Sequence, residues 1–253
     1  MRRIPHCVEN VASRVVDTEG TPPGGDEDSL EELIPVVRRG LEADDHLALM
    51  GLASATLAIL LHSPGAPDGD LEGTSHPTDR VIEHVVLRYV EQGSTEALAY
   101  AAAMTTLVPP GPLRTSLRGA LDGVEDDLPE WLARIDQTRL ETPTIVRDLF
   151  DDDEWLLAGI RFVDEGRLSF RISIDHGADG AVIDGALMRQ TVGEVCAQLR
   201  ARASEDEVAI NDVARDELAE RYRDALAVAA DEGPRTETWP SGRPLVEWAL
   251  RLD

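Results

Sequence analysis

The spacing of apolar residues changes once along this chain, near residue 151, and that change restricts the folds it can adopt. Upstream, apolar residues recur every three or four positions, as on the buried face of a helix. Downstream, the run RLSFRISID at 167–175 alternates apolar and polar residues, which is the pattern of a half-buried strand. The expected fold class is therefore mostly α, α+β: an N-terminal helix-pair bundle followed by a C-terminal β-hairpin packed on helices.

The hairpin is predicted from two apolar runs that flank a short turn. EWLLAGIRFV precedes Asp164-Glu165-Gly166, and the alternating run follows it. We expect Gly166 to supply the positive φ that a tight turn needs. Because a lone hairpin is marginally stable in water, it must pack on helices, gain a third strand or pair with a second copy of the chain. A homodimer is therefore one of the alternatives.

Two helix pairs are predicted upstream of the hairpin from capping residues and apolar spacing. They comprise helices at 29–41, 45–61, 78–92 and 94–108. Shifting the first pair along the sequence places Leu33 on Ile82 and Val36 on Val85, a self-similarity that is also seen in HEAT-like repeats. The alternative is an ordinary helical bundle whose core residues share that spacing.

Three helices are predicted after the hairpin, and broken helices are predicted over 112–149. The three lie at about 187–203, 211–231 and 244–252. Asn211 is expected to cap the second of them, and Pro244 suits the first turn of the third. Trp248 lies on an apolar face of that last helix, which we expect to dock on the core or, alternatively, to contact a partner.

Acidic and turn-rich stretches divide the chain of 253 residues into three segments. Residues 1–28 are predicted to be a flexible N-terminal segment, 29–150 a helical bundle region, and 151–253 a region of β-hairpin plus helices. The acidic run 151–154 is interpreted as a solvated connector. The last two segments alternatively form one domain, since a chain of this length suffices for either arrangement.

Acidic residues outnumber basic ones by 49 to 24, which gives a formal net charge of −25, and every basic residue is arginine. Such a charge repels nucleic acids and anionic membranes. We therefore expect no direct nucleic-acid binding and no membrane association, and a protein partner of basic character is favoured. The most apolar window, 47–61, is too short to span a bilayer.

The two cysteines and the absence of common catalytic motifs restrict the cellular location and the classes of function that we expect. Cys7 and Cys196 lack disulfide or metal-ligand spacing, so a cytoplasmic location is expected. The sequence contains no P-loop, GxGxxG, GxSxG or HExxH motif. That absence argues against most enzymes driven by nucleotides and against most hydrolases that carry such motifs. Whether the chain is an enzyme of another kind is left open.

The stretch SFRISIDHGADGAVIDG at 169–185 is the strongest candidate for a site. In a catalytic interpretation, an aspartate orients His176 as a general base, with Asp175 and Arg171 beside it. In a metal interpretation, Asp179 and Asp184 are the ligands of a divalent cation. No cofactor other than such a cation is expected.

Two observations weaken the chemical interpretation of this stretch. As a calcium loop it carries Gly177 and Ala186 where the third and twelfth positions need acidic ligands. Its aspartates also fit structural roles, since Asp175 and Asp179 can cap turns and Asp184 can cap a following helix. The favoured function is therefore a non-catalytic protein-interaction or regulatory module. The alternatives are a metal-dependent hydrolase or other enzyme using the 175–184 loop, and an acidic DNA mimic.

Overall fold

The computed structural model describes residues 28–62, 77–148, 153–203, 207–232 and 238–252. The predicted N-terminal segment, apart from its last residue, lies outside these ranges, and so do Cys7 and the first two residues of the acidic run at 151–154. The predictions for those residues therefore stay predictions.

Helices dominate the first half, as the apolar spacing predicted. The helices in chain order are α1 (Asp28–Glu42), α2 (His46–His62), α3 (Pro77–Gln92), α4 (Thr95–Leu107), α5 (Pro112–Ala120), α6 (Glu130–Ala133), α7 (Val192–Arg202), α8 (Arg215–Glu232) and α9 (Thr238–Ala249). Gly93, with φ of 67°, separates α3 from α4. The Ser94 hydroxyl then accepts a hydrogen bond from the Ala97 amide at 3.2 Å, which is the capping contact expected for a helix start.

Helix α4 lies at the centre of the helical part, because it is buried on every side from Ala97 to Leu107. Its small side chains let the neighbouring helices approach closely. Tyr100 packs edge to face on Tyr89 of α3, with ring centroids 4.9 Å apart, and its hydroxyl is hydrogen-bonded to Thr56 of α2 at 2.5 Å. Burial raises the pKa of Tyr89 to about 12, since a phenolate there would lose its hydration.

In the described residues of the second half, six strands form one antiparallel sheet. They are β1 (Arg139–Leu140), β2 (Thr144–Asp148), β3 (Asp153–Arg161), β4 (Arg167–Asp175), β5 (Ala181–Met188) and β6 (Val208–Asp212). Their order is β5-β4-β3-β2-β6, with β1 paired to β3 beyond the end of β2. The predicted hairpin is confirmed as β3–β4, and the coarse α+β class is confirmed with it.

The two faces of the sheet contact different partners. Leu156, Phe170 and Ile172 belong to the large core that also contains residues of α1, α2, α4, α8 and α9. The opposite face contributes Val146, Leu157 and other residues to a smaller cluster beneath α7. One hydrophobic core therefore joins the helical region to the sheet, and whether the chain divides at residue 150 into domains stays a prediction.

The helix predicted at about 187–203 is found as α7, but its predicted start is wrong, because β5 occupies residues 181–188. A β-bulge interrupts the β4–β5 register between Ser173 and Ile174, so that Asp184 pairs with Ser173 and Val182 with Ile174. The extra residue and Gly185 hide the two-residue alternation that would have identified the strand. Asp184 lies within β5 and does not cap a helix. The true cap of α7 is Thr191, which forms a capping box with Glu194.

The helical prediction for 112–149 is wrong at its end, and the predicted cap at Asn211 is also wrong. Residues 144–146 of β2 are buried on both faces, so the sequence shows no alternation there. Asn211 pairs with Ile145 in β6, and α8 begins only at Arg215. A strand buried on both sides and a short edge strand lack the periodic signal on which the prediction depended.

The C-terminal helix α9 docks on the core, as predicted, but it begins at Thr238, so Pro244 lies inside it. Trp239, Leu245 and Trp248 are buried. The Ser54 hydroxyl of α2 donates to the Ser241 carbonyl at 2.6 Å and accepts from the Leu245 amide at 3.2 Å. The Ser54 hydroxyl therefore replaces the helical hydrogen bond that the Ser241 carbonyl and the Leu245 amide would otherwise form with each other. This bond lies next to Pro244, which lacks an N–H.

Replacing Ser54 with alanine is expected to lower the free energy of unfolding by about 1 to 2 kcal/mol. The loss is limited because the freed carbonyl and amide can bond to each other, although the proline restricts that movement. Urea unfolding followed by circular dichroism measures the change. Ser116→Ala is the control, since the Ser116 hydroxyl bonds to Glu83 at an exposed site, and it should change stability by less than about 0.5 kcal/mol. Equal effects in the two variants would contradict the bridging role of Ser54.

None of the described helices is both long and apolar enough to cross a membrane.

Candidate functional site

The predicted site loop is the turn that joins β4 to β5. Asp175 ends β4, a single 3-10 turn covers His176–Ala178, and β5 begins at Ala181. Asp179 and Gly180 have φ values of 57° and 82°, and the Gly180 amide donates to the Asp175 carbonyl at 3.0 Å. The stretch therefore closes a hairpin through two left-handed residues.

Arg171 and Asp184 lie on the face of the sheet that packs against α7, since Arg171 is paired with Leu157 of that face. Arg171 Nη2 donates to Asp184 Oδ2 at 3.2 Å. The Arg171 guanidinium carbon also lies 5.1 Å from the centroid of the Trp155 ring, within reach of a cation–π interaction. These contacts link β4 to its neighbours on both sides.

His176 and Asp179 lie elsewhere, at a cavity of about 250 Å³ that Glu154 and Arg221 also line. His176 Nε2 is 3.8 Å from Glu154 Oε2. The structure therefore brings His176 and Asp179 to one cavity and places Arg171 and Asp184 together on the other side of the sheet. The catalytic roles of His176, Asp175 and Arg171 and the metal-binding roles of Asp179 and Asp184 stay predictions.

Glu154 is the residue of this region that sequence reasoning missed. It is 1% exposed, and its carboxylate accepts from Arg147 Nε at 2.6 Å and from Arg221 Nη1 at 3.1 Å. The interpretation of 151–154 as a solvated connector is therefore wrong for Glu154, because the residue is part of β3. The signal was present, since Glu154 alternates in phase with Leu156, Ala158 and Ile160. We refer to Glu154, Arg147, Arg221 and His176 as the ion-pair cluster.

Across the part of the chain that the structure describes, no group of three or more histidine, cysteine, aspartate or glutamate side chains is arranged to hold a metal ion.

A cavity of about 840 Å³ lies between the start of α2, helix α6 and the β3–β4 turn. We call it the acidic cavity. Its lining residues are Ala43, Asp44, Asp45, His46, Leu47, Pro129, Glu130, Trp131, Asp164, Glu165, Gly166, Arg167 and Arg189. Five of these side chains are carboxylates and two are guanidiniums, so the lining, like the whole chain, carries more acidic than basic groups.

His46 forms the inner wall of the acidic cavity and is only 5% exposed. Its ring lies between those of Trp131 and Phe162, at centroid distances of 4.5 and 4.7 Å. Nδ1 is 2.9 Å from the Asp44 carbonyl oxygen, and Nε2 is 2.9 Å from Asp164 Oδ2. Both ring nitrogens are therefore engaged by oxygen atoms, which fixes the orientation of the ring.

The turn that carries Asp164 is shaped around this histidine. Asp164 Oδ1 accepts the Gly166 amide at 3.0 Å, and a Cβ at Gly166 would lie 2.3 Å from His46 Cε1. The positive φ expected at Gly166 is found instead at Glu165, with a value of 65°. That prediction is therefore wrong: glycine is needed at 166 because the imidazole occupies the space of a side chain.

The pairing of His46 with Asp164 left no sequence signal, because the two residues are 118 positions apart. The pairing joins the start of α2 to the β3–β4 turn. Asp45 adds a second link, since it accepts the Ala48 amide at 3.0 Å and pairs with Arg189 after β5. The walls of the acidic cavity are therefore held in place by ion pairs between segments that are distant in the sequence.

No family model, curated protein or solved structure matches this chain.

Proposed function

We propose that this chain is a non-catalytic protein-interaction module whose acidic cavity binds a basic segment of a partner protein. One observation carries the proposal: five carboxylates and only two guanidiniums line an open cavity of about 840 Å³. A cleft lined by one sign of charge focuses the field of the protein and concentrates ligands of the opposite sign. The net charge of −25 extends that attraction over the rest of the molecule.

The composition of the wall favours guanidinium or ammonium groups in particular. The carboxylates of Asp44 and Glu130 line the cavity, and the Glu130 side chain is 70% exposed. Carboxylates offer the bidentate acceptors that an arginine side chain fits. An arginine-containing segment can therefore form charge-assisted hydrogen bonds with this wall.

The rigidity of the site supports binding over a catalytic role for its histidine. His46 is buried between two aromatic rings, and both of its nitrogens are engaged. Both ring nitrogens of His46 therefore take part in the contacts that join α2 to the β3–β4 turn. A preformed wall of this kind loses less conformational entropy when a ligand binds.

Binding of an arginine-rich peptide tests the proposal, with a glutamate-rich peptide of the same length as the negative control. We expect Glu130→Gln and Asp44→Asn each to lower the affinity for the arginine-rich peptide by about two- to fivefold, as for partly screened charge pairs. Isothermal calorimetry at two salt concentrations should also show weaker binding at high salt.

Asp216→Asn is the matched control, because it removes the same charge from an 89% exposed side chain on α8. It should leave the affinity close to that of the wild type. Equal weakening in all three variants would show that general acidity, and not the cavity, attracts the peptide. No measurable binding at low salt would refute the proposal outright.

A further inference from the structure

A second cavity, of about 690 Å³, lies where β3 ends and has a different character. We call it the arginine cavity. Its lining residues are Asp136, Gln137, Thr138, Arg139, Arg161, Phe162, Val163, Glu165, Arg251 and Leu252. Three guanidiniums and two carboxylates face it, so its lining is net positive in a chain with a charge of −25.

Two of the arginines lie opposite each other in the sheet. Arg139 of β1 and Arg161 of β3 are direct partners in the antiparallel register, and like charges in that position destabilise a sheet. Glu165 offers little compensation, because its carboxylate is 4.0 Å from Arg161 Nη1 and its side chain is 74% exposed. An anion held between the two guanidiniums would remove the repulsion.

The third arginine belongs to a larger group of positive charges. Desolvation by burial lowers the pKa of Arg251. Desolvation also lowers the pKa of Arg114, and the nearby charges of Arg118 and Arg251 lower it further. Within the described residues, Arg114 Nε is buried and has no hydrogen-bond partner. Guanidiniums that lie close to one another can form charge-assisted hydrogen bonds with an anion.

Thr138 provides an independent indication that the cavity holds a ligand. The residue is 3% exposed and lines the cavity. Among the described residues, its hydroxyl oxygen is buried and finds no hydrogen-bond partner. A buried hydroxyl without a partner is costly, and a ligand oxygen in the cavity would satisfy it.

We propose that the arginine cavity binds a small organic phosphate through Arg139, Arg161, Arg251 and the Thr138 hydroxyl. A phosphate monoester offers three oxygens and nearly two negative charges, which suits three guanidiniums and a hydroxyl better than a single carboxylate does. The volume falls in the range of small-molecule sites and leaves room for the organic part of the ligand. The two cavities share Glu165, but none of the four groups proposed to bind the phosphate lines the acidic cavity, and the proposal does not depend on the function proposed there.

Titration with glycerol 3-phosphate at low ionic strength tests the site by calorimetry and by thermal unfolding. Glycerol, succinate and inorganic phosphate separate the contributions of the organic part, of carboxylates and of the phosphate alone. We expect saturable stabilisation by glycerol 3-phosphate, weaker binding of inorganic phosphate, and no effect of glycerol. Tighter binding of succinate than of the phosphate ester, or no saturable binding, would overturn the proposal.

Variants locate the binding. Arg139→Gln and Arg251→Gln should each lower the affinity for glycerol 3-phosphate by about tenfold or more, as for the loss of one charge-assisted contact. Arg200→Gln on α7 removes the same charge elsewhere and should leave the affinity unchanged. Asp136→Asn should strengthen binding, because it removes a carboxylate that repels the ligand. Equal weakening by Arg139→Gln and Arg200→Gln would contradict the assignment.

Thr138→Val separates ligand binding from a structural role. It keeps the shape of the side chain and removes only a hydroxyl without a partner. The variant should therefore be at least as stable as the wild type without ligand, yet bind glycerol 3-phosphate several-fold more weakly. Unchanged affinity in this variant would show that the hydroxyl does not contact the phosphate.

Discussion

Replacing Arg147 and Arg221 together with methionine is expected to lower the free energy of unfolding by about 3 to 5 kcal/mol. The two guanidiniums are the cations closest to Glu154, at 2.6 and 3.1 Å. Glu154 itself is 1% exposed, and the methionines keep much of the volume that covers it. The double variant therefore keeps a buried carboxylate without either arginine, and the His176 imidazole remains 3.8 Å away.

The triple variant that adds Glu154→Leu tests the physical reason. It removes the buried charge along with its partners and fills the space with an apolar side chain of similar size. We expect it to recover most of the stability lost by the double variant, because an apolar replacement of a whole buried ion pair is often neutral or stabilising. Urea unfolding of the wild type and both variants gives the comparison directly.

Arg38→Met/Arg134→Met is the matched control for the double variant. Both of its arginines form ion pairs at exposed sites, with Glu96 and Glu130. It changes the net charge by the same amount and should cost less than about 1 kcal/mol per pair. If Arg147→Met/Arg221→Met were no less stable than this control, the ion-pair cluster would not be a buried one in solution.

The elements that the sequence could predict are those with a clear apolar pattern and clear ends. Helix α1, helix α3 and the β3–β4 hairpin show periodic apolar residues, and α2 and α4 are apolar runs bounded by turn or capping residues. All of them are confirmed. Strands β2, β5 and β6 escaped prediction for distinct physical reasons. β2 is buried on both faces, β5 contains a bulge, and β6 is a short edge strand.

The candidate sites were less accessible to sequence reasoning, because charged partners meet across the fold. His46 and Asp164 are 118 positions apart, and Glu154 and Arg221 are 67 apart. Only Glu154 left a local signal, through its phase with the buried residues of β3. The stretch at 169–185 is the strongest candidate site in the sequence because it contains many polar residues, yet the structure distributes these residues over both faces of the sheet.

Replacing Gly185 with alanine is the other change with a large expected effect, about 3 kcal/mol of destabilisation. Gly185 lies in β5 opposite Ile172. A Cβ there would be 2.0 Å from Cε3 of Trp239 and 2.5 Å from Cζ3. Trp239 is 4% exposed and packs edge to face on Tyr222, with ring centroids 6.0 Å apart. The ring therefore cannot move without displacing its neighbours.

A second substitution identifies the collision as the cause. In a Trp239→Leu background the smaller side chain leaves room for the new methyl group, so Gly185→Ala should cost much less there than in the wild type. The difference gives a coupling energy of about 2 kcal/mol in a double-mutant cycle measured by urea unfolding. Gly119→Ala, in α5 with no atom within 4 Å of the added Cβ, should instead stabilise the protein by roughly 0.5 kcal/mol, since alanine restricts the unfolded chain. Additive effects of Gly185→Ala and Trp239→Leu would show that Trp239 does not occupy the space above Gly185, and that α9 docks on the sheet in some other way.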